Sequence, residues 1–443
     1  MHRPTATLTL ITLAAFALAA CADSPTAPRS TTSFPGSARS EILPDGEGDF
    51  HRYVAIGTSV SQGWRSDGVN AGSQQTSWPA QLARLANREL SLPLIGGPGC
   101  GAPLVAPLAW GLRVGGESAG TSFLSRTCAQ NEPGVTLPAG NVAISGARTI
   151  HALSATPEAP DPNYAPLYQR VLPPGMSQVA AMEAQNPKIV SVELGANEIL
   201  GVHRGAYVPG QTFVPVAFWA PDYRRVLDRV EAQTKKAVVV GLIDHVINFP
   251  SFRTGAELWA ANATFAPFHV TVSEDCGVAP GSDNALFVPV RVLLAAATGA
   301  ARLQQGLSPY VLSCANAPPT NGNGVVILDY VLSPAELTAI DAQFAQMNAI
   351  IRAEAESRGF AYFALSAVYE EAVIKAPFNA ITMLTSAQPF GPFVSLDGLH
   401  PSAEGARVLA DAAAEALNVR YNMNIPTSNA APFLAMSRAR ANR

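Results

Sequence analysis

Short apolar runs, several closed by glycine and separated by helical patterns, restrict this chain to a narrow set of folds. They are RYVAIG (52–57), NVAISG (141–146), KIVSVELG (188–195), KAVVVGLI (236–243) and FAYFAL (360–365). Most are continuously apolar rather than alternating, the pattern of strands buried on both faces. Between or after them lie SWPAQLARLANREL (77–90), PDYRRVLDRVEAQTK (221–235), SPAELTAIDAQFAQMNAIIRAEAESRG (333–359) and SAEGARVLADAAAEAL (402–417). The third opens on Ser333-Pro334-Ala335-Glu336, a capping serine, an N1 proline and an acidic first turn together. Strands alternating with helices predict an α/β fold around a parallel sheet.

Two stretches break the alternation, near 98–140 and 245–325, and read as insertions on one decorated domain. Within the second, ALFVPVRVLLAAATGAARLQQG (285–306) is a helix candidate that reads equally as a lid or acyl-binding surface and as a core helix. No internal repeat of fixed period is present. With 48% hydrophobic residues the chain can bury a sizeable core, and a formal charge of -4 without basic runs excludes nucleic acid as a partner.

The N-terminus, MHRPTATLTLITLAAFALAAC, joins a positive start at Arg3 to an apolar stretch too short to span a bilayer, which marks an export signal over residues 1–21. Leu18-Ala19-Ala20-Cys21 resembles the lipobox of bacterial lipoproteins, implying lipidation of Cys21, a membrane anchor and a place in the cell envelope. By resemblance to Gram-negative sorting rules, Ala22 rather than Asp after the cysteine does not favour retention in the inner membrane and implies the outer membrane, on its periplasmic or surface face. Residues 22–48, rich in Ser, Thr, Pro and Gly, read as a tether; 49–425 as the globular domain; and 426–443, with Arg438, Arg440 and Arg443, as a mobile tail. Four further cysteines in an exported chain suggest two local bridges, Cys100 with Cys128 and Cys276 with Cys314, although three pairings are open.

The chemistry gathers at strand ends. In YVAIGTSVSQG an apolar strand gives way to small and hydroxyl residues, which puts Ser59 at a strand's carboxyl end, where open α/β sheets place their sites. In SLDGLHPSAEG, Asp397 and His400 stand three apart before a helix, so the carboxylate can bond one imidazole nitrogen and leave the other for a hydroxyl. Gly146 after one strand offers an unobstructed N–H, and Asn197 after another offers an amide, both suited to an oxygen that becomes negative. Ser61 is a second hydroxyl, read as a turn or cap residue. His51, His151, His203, His245 and His269 form no metal-ligand spacing, so metallohydrolase chemistry is a poor fit.

IGTSVSQG, ISGA, LGANE and DGLHPS, in this order, resemble the four blocks of the GDSL-type SGNH hydrolases. The resemblance implies a flavodoxin-like three-layer α/β/α sandwich with a mostly parallel sheet. It implies a serine esterase or lipase with Ser59 as nucleophile, His400 as base, Asp397 orienting it, and an oxyanion hole from Ser59, Gly146 and Asn197. No metal or organic cofactor is needed, and the expected partner is a carboxylic ester, an acyl lipid or an acylated glycan. Thr58 and Glu198 depart from the family pattern, each standing where an aspartate is usual. A non-catalytic cell-envelope binding module on the same fold is the alternative, weakened by the presence of Ser59, Asp397 and His400 together.

Overall fold

The computed structural model describes residues 47–369 and 375–428. The signal, lipidation and most of the tether therefore lie outside the described residues, as does the tail beyond 428. The strands are β1 (Tyr53–Gly57), β2 (Ile189–Glu193), β3 (Ala237–Gly241), the short β4 (Phe252–Thr254), β5 (Val270–Val272), β6 (Ala285–Phe287), β7 (Tyr310–Leu312) and β8 (Val331–Leu332), and β9 (Ala361–Ala364).

A parallel sheet in the order β1-β2-β3-β9 forms the middle layer. Every residue of β1, β2 and β3 is buried, as the apolar runs of β1 and β3 require and with Ser191 and Glu193 of β2 included, whereas β9 alternates between buried and half-buried positions. The NVAISG stretch lies along the outer side of β1. Its Val142 N–H donates to Ala55 O (2.9 Å) and its Ile144 N–H to Gly57 O (3.1 Å), but only Asn141 and Ala55 form a bridge. With that stretch included, the spatial order is that of a flavodoxin-like sheet, the first two sequence elements being exchanged at the edge.

Helices Trp78–Leu85 and Ala403–Tyr421 pack together on one face, and Gln178–Glu183, Val216–Gln233 and Pro334–Arg358 cover the other. The result is a three-layer α/β/α sandwich. The Ser333 cap forms as the sequence predicts: its hydroxyl accepts from Glu336 N–H, and the Glu336 carboxylate accepts from Ser333 N–H at 2.9 Å. The helix expected from Pro221 instead begins at Val216, with Pro221 inside it. Burial of Trp219, Ala220 and Tyr223 on the sheet side holds this first part helical, against the one ladder bond that Pro221 cannot donate.

Both insertions carry a disulfide, Cys100–Cys128 and Cys276–Cys314, in the pairing the spacing suggests. The second insertion holds more regular structure than its sequence announces: β4 and β6, which form an antiparallel sheet with β8 just beyond it, and a parallel β5-β7 pair. These strands have two or three residues each, too few to show a period. Its helix Val288–Gln304 buries Val288, Val292, Ala295 and Gly299. The neighbouring stripe, Pro289, Val290 and Leu293, faces a cleft above the sheet, so the helix is packed and also forms a wall. Among the described residues no helix is long and apolar enough to cross a membrane.

Candidate active site

β1 ends at Gly57, and the chain turns at Thr58 into a single helical turn, Ser59–Gln62. The parallel register sets Gly57 beside Glu193, the last residue of β2. Glu193 is buried, and its carboxylate accepts from Thr58 N–H (3.0 Å), Thr58 Oγ1 (2.7 Å) and Ser61 N–H (3.2 Å). Burial pushes its pKa up, against these donors. Where the family pattern has an acid at position 58, this chain has a threonine gripped by an acid from the adjacent strand. Sequence reasoning missed Glu193; its signal was a charged residue ending an otherwise apolar run.

Ser61 is fully buried, and its hydroxyl accepts from Trp78 Nε1 at 3.1 Å, so it supports the turn from behind. Ser59 faces the other way. Its Oγ lies 2.9 Å from His400 Nε2, and His400 Nδ1 lies 2.9 Å from Asp397 Oδ2.

Asp397 sits in the loop before helix Ala403–Tyr421 and is held by donors on both oxygens. Oδ1 accepts from Leu399 N–H and His400 N–H, each at 2.9 Å, and from Ser395 Oγ at 3.1 Å; Oδ2 accepts from Asp67 N–H at 2.8 Å. Burial opposes its ionisation, but His400 and the N–H donors outweigh burial and leave its pKa at about 2. For His400 burial acts downward; the charge and hydrogen bond of Asp397, with Asp67 and Glu193 nearby, win and hold the imidazole above its ordinary value.

Gly146 and Asn197 line the same cavity as Ser59, Asp397 and His400, a space of about 360 Å³. Gly146 has φ +77°, and a Cβ there would lie 2.0 Å from the Tyr164 ring, so no other residue fits without moving the cleft wall. Asn197 Nδ2 donates to Ala147 O at 2.9 Å, which fixes the amide and leaves its second hydrogen for the cavity. Glu198 is turned away: its Oε1 accepts from Thr149 N–H at 2.7 Å, and burial raises its pKa to about 7. Five expected residues therefore meet in one cleft, and the two departures from the pattern, Thr58 and Glu198, lie behind it as buried supports.

A family model described as GDSL-like lipase/acylhydrolase matches residues 53–413. The chain belongs to the GDSL-like lipase/acylhydrolase family. As a member of it, the protein is a carboxylic ester hydrolase. Among solved structures, it is similar to an acetylxylan esterase from Geobacillus stearothermophilus, at 11% identity over 85% of this chain and 96% of that one, with a TM-score of 0.32. It is also similar to an extracellular lipase from Streptomyces rimosus, at 14% identity over 83% and 98% of the two chains, with a TM-score of 0.30. No curated protein matches the chain.

The remaining described histidines have local roles. His51 bonds Gly48 O, His151 pairs with Asp161, His245 with Asp341, and His269 bonds Leu307 O. His203 is the exception in position: it lines the cleft, its Nδ1 bonded to Leu200 O, and burial lowers its pKa to about 4, so it stands neutral there. Among the described residues no cluster of three or more His, Cys, Asp or Glu is arranged to hold a metal ion.

Proposed function

We propose that this GDSL-family hydrolase works through a Ser59-His400-Asp397 triad. The observation that carries the reading is the unbroken chain of contacts, Ser59 Oγ to His400 Nε2 and His400 Nδ1 to Asp397 Oδ2, each 2.9 Å, opening on the cleft. Ser59 Oγ attacks the acyl carbonyl while His400 Nε2 takes its proton, and Asp397 stabilises the imidazolium. The oxygen that becomes negative is held by the Ser59 and Gly146 N–H groups and the Asn197 amide. Collapse expels the alcohol, which receives the proton from His400; water activated by His400 then releases the acid and restores Ser59. Because the base acts only when neutral, turnover rises with pH through the raised pKa of His400, above the ordinary histidine value.

The cleft walls bear on the substrate. Leu104, Phe287, Val290, Leu293, Leu396 and Leu399 give the cleft apolar surface. An adjoining space of about 550 Å³ is lined by Arg148, Asn163, Arg204, Gln211 and Thr212. This pairing suits an ester with an apolar acyl chain and a polar alcohol, an acyl lipid before an acetylated glycan. Hydrolysis of p-nitrophenyl esters of graded acyl length is expected to peak at medium or long chains. A maximum at acetate, falling steadily with length, would turn the reading towards acylated glycans.

Asn197→Ala is expected to lower kcat about 100-fold, as loss of one oxyanion donor does, with little change in KM. An unchanged kcat would take Asn197 out of the proposed hole.

The Cys21 lipobox and the tether at 22–48 support an exported protein anchored by lipid, with the outer membrane as the favoured site. Labelled fatty acid fed to producing cells should enter the protein and be lost in Cys21→Ala; equal labelling of both would refute the anchor.

A further inference from the structure

The carboxylate of Asp397 is gripped from a part of the chain far from its own loop. Residues Arg65–Gly68 form a tight turn, closed by Arg65 N–H to Gly68 O (2.8 Å) and Gly68 N–H to Arg65 O (3.0 Å). Its central residues, Ser66 and Asp67, have φ of +51° and +58°, a left-handed conformation unfavourable for residues other than glycine. That conformation aims two N–H groups at the catalytic loop: Asp67 N–H meets Asp397 Oδ2 (2.8 Å), and Ser66 N–H meets Ser395 Oγ (2.9 Å), which itself donates to Asp397.

What holds the turn comes from the first insertion. Arg113, almost wholly buried, donates to Asp67 O and Ala102 O (both 3.0 Å), to Ala119 O (2.9 Å) and to the Asp67 carboxylate (2.5 Å). Arg126 donates to Asp67 O at 3.0 Å and pairs with its carboxylate at 2.9 Å. Cys100–Cys128 closes the loop that delivers both arginines, and Leu104 N–H reaches Ser66 O at 2.7 Å. Gly68 permits the contact, since a Cβ there would lie 1.8 Å from Gly101 O.

We infer that the disulfide-closed loop 98–140 is a positioning device for the catalytic carboxylate: Arg113 and Arg126 hold the Arg65–Gly68 turn so that Asp67 N–H stays on Asp397. The inference rests on the triad reading above. Arg113, Arg126 and Asp67 touch no reacting atom; they act through Asp397 and His400. They also set charge. The charged and titratable groups around His400 are Asp397 on its own loop, Asp67 on the turn, Glu193 at the end of β2, Arg113 and Arg126 from the insertion, and Tyr164, His203 and Arg204 elsewhere on the cleft wall. Two arginines on Asp67 offset its charge. Losing one leaves more negative potential at the imidazole, so His400 keeps its proton to higher pH.

The experiment compares Arg113→Gln and Arg126→Gln with the unsubstituted protein on one chromogenic ester across pH. Unfolding midpoints and a Ser59→Ala control are measured beside them. Expected are a fall in kcat of about 10-fold or more at neutral pH with KM nearly unchanged, and an acid limb moved upward by on the order of half a pH unit. Arg113→Lys restores the charge but not the several carbonyl bonds, so its limb returns while kcat stays low. Arg126 is less buried than Arg113, so Arg126→Gln carries the test if Arg113→Gln does not fold. Folded variants with unchanged kcat and limb overturn the inference, as does a loss of kcat with an unmoved limb, which a merely structural loop would give. Turnover surviving in Ser59→Ala, by contrast, would mean that the triad reading itself has failed.

Discussion

Ser59→Ala is expected to lower ester turnover by at least about 10⁴-fold while the protein stays folded. Among the described residues the hydroxyl makes one hydrogen bond, to His400 Nε2, in the cleft, so its removal leaves no buried donor stranded. The unfolding midpoint should therefore stay close to that of the unsubstituted protein, and kcat should fall to the level that binding and the oxyanion donors alone can support. The neighbouring Ser61 cannot take over, since it is fully buried and its hydroxyl is engaged by Trp78. A variant retaining more than about a tenth of the activity would mean that another group is the nucleophile.

Asp397→Asn carries the second large effect, for a reason set by the hydrogen bonds. Leu399 N–H, His400 N–H and Ser395 Oγ all point at Oδ1, so an amide would turn its single acceptor oxygen towards them. The NH₂ group then faces His400 Nδ1, which must accept. The imidazole proton moves to Nε2, the nitrogen that has to be bare to take a proton from Ser59. We expect kcat to fall on the order of 10³-fold or more. The lost negative charge should also move the acid limb to lower pH, because Asp397 is the main group raising His400. A loss below about 10-fold would mean that the carboxylate does not set the tautomer.

Much of this arrangement is legible in the sequence because it is local. Asp397 and His400 lie within one turn, Ser59 follows a strand too apolar to be anything but buried, and the Ser333 cap is written in four consecutive residues. The supports are not legible because they are long-range. Glu193 reaches Thr58 only through the β1–β2 register, and Arg113, inside an insertion with no period to read, reaches Asp67 46 positions away. Asp67-Gly68 did carry a turn signature, but nothing near it shows which loop the turn serves. The start of helix Val216–Gln233 was obscured by Pro221, because burial of Trp219 outweighs a local preference. The short strands β4 to β8 are held by tertiary pairing and by Cys276–Cys314, which residue pattern alone does not express.

The most direct measurement of the central claim is covalent capture. The folded protein, treated with a fluorophosphonate at neutral pH, would be digested and its modified peptide located by mass. The account predicts a single adduct on Ser59, formed with loss of ester turnover and absent from Ser59→Ala. An adduct on another residue that abolishes turnover, or full turnover with Ser59 modified, would contradict it.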